Sequence, residues 1–303
     1  MAREGEIPQK ESIADVLKKY KENKEGELNA PTAIGNGIPA APVFNQQEFE
    51  KAMSKETDPD LMTSYEIVKL PSKGIFYQHR ISEVAVEYMT SRDEDLLTTP
   101  SLIDSGEMLN LLLKRKIKTP GIVIEDLLQG DRNAIILFLR TSSYGADYSV
   151  QVTDPRNGIT FNSKVDLLQL RYKEVTEYPD EFGHFKVEIP MRKKTVTLRL
   201  ITSGEDATLY KKAEQIKLAY GNEVSDYSTM KLKSHIVAIN DKTDRSYIDR
   251  FVDAMPALDA VTIRRKIMAV SPDVDMKYEF TAKDGYKFEA FLTLGLDFFF
   301  PST

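Results

Sequence analysis

At 303 residues, 41% of them apolar and 29% charged, the chain has the composition of a globular protein long enough for two domains of ordinary size. It contains no cysteine, which excludes disulfides, thiolate metal sites and cysteine nucleophiles together. A formal charge of -6 argues against the broad attraction that nonspecific nucleic-acid binding relies on, and no stretch approaches the roughly 18 to 20 apolar residues of a membrane span, so a soluble, unexported protein is expected.

Residues 1–62 read as an extended tail, with Pro31, Gly35, Gly37, Pro39, Pro42 and Pro59 punctuating polar sequence. Inside it, 12–24 spell a short amphipathic helix. Ser12 and Asp15 form a capping-box-like start, and Ile13, Val16, Leu17 and Tyr20 fall at helical spacing. A helix this short is marginal in water, so its stripe is expected to dock, either on the body of this chain or on a partner.

A first α+β module is expected over 63–176. Ile67, Val68 and Leu70 lead into a turn at Pro71 to Gly74, and the apolar run Ile75, Phe76 and Tyr77 predicts a second short strand. A third strand, from Val84 to Thr90, gives way to a helix capped by Ser91 with Glu94 reaching back. Another helix is expected from Asp104, with Glu107 at the reciprocal position, through Leu111 to Ile117, stopped by Pro120. The run Asp131 to Arg140 is apolar around most of its circumference from Ala134 to Leu139, as a helix in the centre of a domain would be. The module closes on alternating strands joined at Asn157-Gly158, where glycine accepts the backbone angle a tight turn requires.

A second α+β module over 177–303 repeats that order. VAVEYMTSRDEDLL at 84–97 returns in outline as VTLRLITSGEDATL at 196–209, Asp131-Arg132 returns as Asp244-Arg245, and the hairpin signal NGITF returns as DGYKF at 284–288. The expected elements are strands FKVEIP and TVTLRLIT, a helix capped by Ser203 with Asp206 in the reciprocal place, helices through Phe251 and Met268, and a ribbon from Met276 to Leu294. Phe298, Phe299 and Phe300 follow, costly to leave in water and therefore docked on something.

No catalytic, cofactor or metal constellation emerges. Gly35 to Ala40 has the letters of a dinucleotide loop, but no strand precedes it and Pro39 interrupts where a helix should open. His79, His184 and His235 are scattered without ligand spacing. Asp93, Glu94 and Asp95 sit in a first helical turn, where they offset the dipole. Three basic runs, 113–118, 191–194 and 263–267, read either as solvated faces or as contacts for an acidic partner.

The segments VKLPSKGIFY, EYMTSRDEDLL, LLQGDRNAIILFLR, SYGADYSVQV and GLDFFFP together resemble the baseplate hub and hub-assembly protein family of T4-like contractile-tailed bacteriophages. The resemblance covers about residues 65–170 well and the late ribbon less closely. Some members of that family carry cysteine pairs in the ribbon after the core helix, as a zinc knuckle needs. Here Thr153, Asp154, Pro155, Arg156, Asn157 and Gly158 occupy the place, which predicts a metal-independent hairpin.

What the resemblance implies is a non-catalytic role in the hub of a phage tail baseplate. The subunit would either be retained there or act as a transient assembly chaperone. A tail-associated cell-wall hydrolase is a third reading, for which no carboxylate pair stands out. The implied partners are other hub or tail-tube initiator proteins and the tape-measure protein, with neither nucleic acid nor membrane. The implied location is the host cytoplasm during assembly and the virion tail baseplate. Ile13, Val16, Leu17 and Tyr20, with Phe298, Phe299 and Phe300, are the expected contact residues, and internal packing is the alternative for the phenylalanines.

Overall fold

The computed structural model describes residues 64–77, 80–220, 225–292 and 296–299. The predicted helix at 12–24, with Ile13, Val16, Leu17 and Tyr20, lies outside the described residues, as do His79 and Phe300. From Tyr65 onward the chain clusters as one unit of mixed helices and small antiparallel sheets, an α+β fold.

Strand β1 (Tyr65–Lys69) pairs antiparallel with β2 (Glu83–Glu87), with Val68 opposite Val84. The predicted strand at 75–77 is absent, because the link between β1 and β2 is tied down from below. The Ser72 N–H donates to Asp131 Oδ1 at 2.9 Å, the Tyr77 hydroxyl donates to Asp131 Oδ2, and that hydroxyl also accepts from the Leu128 N–H at 2.9 Å. Those bonds hold a series of turns where a ladder would have needed the backbone groups.

Helices α1 (Ser91–Leu97), α2 (Pro100–Ser105) and α3 (Met108–Lys116) follow. The single helix expected from Asp104 to Ile117 is thus two. Gly106 takes φ 70 at the end of α2, the left-handed conformation that closes a helix, and α3 starts afresh after Glu107. Helix α4 (Gln129–Tyr144) buries Ala134, Ile135, Ile136 and Leu139 and is the central helix expected there. Strands β3 (Asp147–Thr153) and β4 (Thr160–Asp166) form the hairpin around Gly158, at φ 71.

The three-stranded sheet has order β5-β6-β7, from His184–Ile189, Lys194–Arg199 and Ile236–Ile239. Helices α5 (Ser203–Tyr220) and α6 (Tyr227–His235) separate β6 from β7, and α7 (Arg245–Asp253) and α8 (Ala257–Val270) follow. Strands β8 (Lys277–Thr281) and β9 (Lys287–Phe291) make the last hairpin.

The helix starts sit one residue earlier than predicted, and in the same way at both places. Ser91 and Ser203 are the first helical residues, and the caps are Thr90 and Thr202. The Asp93 carboxylate accepts from the Thr90 N–H at 2.8 Å and hydroxyl at 2.9 Å. Glu205 accepts from the Thr202 N–H at 2.9 Å, while the Thr202 hydroxyl accepts from the Glu205 N–H at 3.2 Å. Glu94 and Asp206 therefore do not cap. Glu94 accepts from the Tyr144 hydroxyl at 3.3 Å, and Asp206 accepts from the Tyr227 hydroxyl at 2.6 Å and Lys231 Nζ at 2.8 Å, joining α5 to α6. Asp131 and Asp244 also differ in place. Asp131 is buried within the first turn of α4, whereas Asp244 caps α7 by accepting from the Tyr247 N–H at 2.7 Å.

Two hydrophobic cores result, and they are not the two halves of the chain. The first contains Val84, Leu112, Ile135, Leu139 and Val165 together with Phe280, Phe288, Phe298 and Phe299. The second contains Phe185, Val196, Leu232, Ile248 and Ile263. The hairpin β8-β9 thus crosses back to the first core and packs beside β3-β4. Phe161 meets Phe288 edge-on at 6.3 Å, and Arg156 joins the two turns by donating to both Asp284 oxygens at 3.0 and 2.8 Å while lying 3.8 Å over the Tyr286 ring. Gly130 and Gly204 mark where backbones press together. A Cβ on Gly130 would overlap the Pro272 carbonyl, and one on Gly204 would lie 2.7 Å from Glu125 Cβ.

Candidate protein-binding surface

Phe298 and Phe299, expected as contact residues, point inward, each 1% exposed. Phe298 meets Tyr148 edge-on at 5.1 Å, Phe299 meets Phe298 at 5.7 Å, and the Phe298 carbonyl accepts from Arg140 Nε at 2.6 Å. Their apolar surface is consumed inside the first core, which corrects the expectation that they face a partner. Arg140 is itself buried without a carboxylate. Three carbonyls satisfy it, those of Phe298, of Gly145 at 2.8 Å and of Asp147 at 3.2 Å, under the rings of Tyr144 and Tyr148.

The basic runs resolve differently from one another. In the first, Lys114 pairs with Glu125 at 2.6 Å, Arg115 with Asp93 at 3.2 Å, Lys116 with Asp93 at 2.6 Å and Glu87 at 3.1 Å, and Lys118 with Glu87 at 3.1 Å. That run is an internal ion network, with Lys116 and Asp93 2% and 1% exposed. Burial works to raise the Asp93 carboxyl, but hydrogen bonds from Lys116 and Thr90 outweigh it and hold the group below the usual carboxylate range. In the second run Arg192 lies 4.4 Å over the Phe251 ring and donates to the Phe251 carbonyl at 3.4 Å and to that of Ala254, closing the end of α7. In the third, Lys266 pairs with Glu177, while Arg264 and Arg265 are exposed with no ion pair among the described residues.

The two described histidines have structural surroundings. His235 is buried with Nδ1 2.8 Å from the Arg199 carbonyl, an acceptor that requires the proton on Nδ1, and burial lowers its pKa. His184 stacks against Phe182. Among the described residues no cluster of His, Cys, Asp or Glu is placed to hold a metal ion.

The surface that stands out was not legible as a motif. Helix α5 runs for 18 residues yet buries only Ser203 and Ala213. Its first turn is anchored to the first core, the Ser203 N–H donating to the Leu127 carbonyl at 2.8 Å and the Ser203 hydroxyl to that of Ile124 at 3.2 Å. Beyond that anchor the helix lies along α6, and Tyr210, Leu218 and Tyr220 are exposed, Leu218 at 80%. Tyr210 meets Tyr227 edge-on at 5.5 Å.

Between α5 and the helices α6, α7 and α8 runs an open groove of about 830 Å³. Leu209, Ile216, Met230, Leu232, Val252 and Ala260 form its apolar floor. Charges line its rim. Lys233 pairs with Asp253 at 2.5 Å and Arg245 with Asp249 at 2.8 Å, while Lys212, Arg264 and Asp226 have no ion pair among the described residues. Leu209, Ala213, Ile216 and Tyr220 recur at helical spacing, and that stripe was the available signal. An apolar floor between helices with a charged rim can hold another protein segment.

The family described as T4 bacteriophage base plate protein matches residues 62–300 of the chain. No curated protein and no solved structure matches it.

Proposed function

The chain belongs to the T4 bacteriophage base plate protein family, and on that premise we propose that it serves the baseplate hub, as a subunit or as an assembly factor, through protein contacts and without catalysis. The match over 62–300 carries this reading, since it spans both cores. The groove beside α5 supports it, as does the use of the most conspicuous acidic cluster, in which Asp93 is bound to Lys116 and Thr90 and is not presented to solvent. Its partners on this reading are other hub or tail-tube initiator proteins and the tape-measure protein. The two-module division at 63–176 and 177–303 belongs to the same proposal. It is supported by the repeated order of hairpin, threonine cap and helix at β1-β2-α1 and β5-β6-α5.

Quantitative mass spectrometry of purified particles, counting this chain against a tail protein of known number, tests the proposal. A small integral copy number marks a retained subunit; presence on tail-assembly intermediates but not on particles marks a factor that departs. Absence from both overturns the proposal.

A further inference from the structure

Resting on the reading of this chain as a baseplate interaction protein, we propose that the groove between α5 and α6, α7 and α8 binds an amphipathic α-helix of a partner protein whose apolar stripe is flanked by acidic residues. The shape argues for a helix. All four walls are helices with their backbone groups already paired along their own axes, so the groove offers no strand edge. An extended segment would bury unpaired backbone N–H and C=O groups, whereas a helix brings its own bonds satisfied. Helix α5 is about 27 Å long at 1.5 Å per residue, enough to lie against several turns of a guest.

Charge fixes the sign of the guest. The neighbouring rim cations Lys233 and Arg245 are neutralised by Asp253 and Asp249; of the lining charges without an ion pair among the described residues, Lys212 on α5 and Arg264 on α8 are cations and Asp226 alone is an anion, so the rim is net positive. By contrast, every cation of the run 114–118 has a carboxylate partner, and Lys266, two residues beyond Arg264, is paired with Glu177. Carboxylates on either side of an apolar stripe would meet Lys212 and Arg264 as the stripe covers Ile216, Met230 and Ala260. Segment 12–24 of this chain carries Lys18, Lys19 and Lys21 beside its own stripe, the wrong sign for that rim.

The full chain is titrated by fluorescence anisotropy with two synthetic peptides of about 18 residues, the length of α5. Both carry one leucine stripe at helical spacing, flanked by glutamates in one and by lysines in the other. The glutamate peptide is expected to saturate and to bind at least about tenfold tighter than the lysine peptide, a margin that shrinks as salt is raised. In the K212E/R264E chain, with both changes at exposed positions, the preference is expected to reverse. Lack of saturable binding, equal binding of the two peptides, or a preference that survives the charge reversal would each overturn the proposal. So would tighter binding of a peptide of residues 12–24, which would give the groove to a segment of this chain. The particle count is independent of these titrations, so failure of the groove leaves the baseplate reading standing.

Discussion

Lys116 and Arg115 are adjacent and both reach Asp93, yet their environments separate them. Lys116 is 2% exposed and also donates to Glu87 and to the Tyr88 carbonyl, while Arg115 is 45% exposed. Removing one partner of a buried pair leaves the other charge uncompensated. Lys116→Met is therefore expected to lower the unfolding free energy by about 3 to 5 kcal/mol, and Arg115→Met by less than about 1 kcal/mol, read from urea melts. The same carboxyl sets an acid limb. Because the folded pKa of Asp93 is depressed, its contribution is whole above the unfolded value of about 3.9 and fades as pH falls through the lower folded value. The stability gap between the native protein and Asp93→Asn should accordingly narrow as pH is taken from about 5 to about 2. A gap independent of pH over that range would mean that the ionised form of Asp93 is not what the fold holds.

At the level of helices and hairpins, the threonine caps make a graded comparison. Thr202→Ala removes the acceptor for the Glu205 N–H and is expected to cost about 1 kcal/mol in thermal or urea unfolding. Glu94→Ala, at an exposed residue, is expected to stay within about 0.5 kcal/mol. Asp206→Ala should exceed Glu94→Ala, because it strips both Tyr227 and Lys231 of their partner. These sites also show what the sequence made legible. Both threonine-serine pairs announce a helix start, but two adjacent hydroxyl residues are both competent caps, and only the path of the backbone chooses between them. Hairpins were readable from Asn157-Gly158 and Asp284-Gly285 because the turn chemistry is local. The break at Gly106 was hidden by the apolar spacing that continues through Met108 and Leu112. Strand β7, four residues between two helices, has too short a pattern to announce itself. The groove was unreadable as a site because its floor comes from four helices, each contributing one or two residues of unremarkable type.

For the whole unit, the decisive contacts are backbone to backbone. The first turn of α4 lies against the segment after α8. A side chain at Gly130 would strike Pro272 and come within 2.5 Å of Asp273 Cα, and neither is the free end of a flexible side chain. Asn133 bonds Asp273 at 3.0 Å beside the same contact, and Asp273 in turn accepts from the Lys173 N–H at 2.8 Å. Gly130→Ala is thus expected to lower stability by about 1 to 3 kcal/mol. It should also raise hydrogen exchange at 171–173 and 271–275 ahead of either core, as measured by mass spectrometry. Exchange that rises only inside the cores would show that the junction does not depend on this close approach.

The return of β8-β9 to the first core has a consequence for the order in which the protein comes into being. A ribosome issues residues in sequence, so 185–270, which supply the second core, are complete before Phe280, Phe288, Phe298 and Phe299 exist. The interior that begins first closes last. Between the synthesis of Leu170 and that of Phe299, on the order of ten seconds at usual elongation rates, Val84, Leu112 and Ile135 lack the four phenylalanines that complete their core. For that interval the growing chain needs either shelter or speed, and the early-finished second core hands the late hairpin back to a half-built first one.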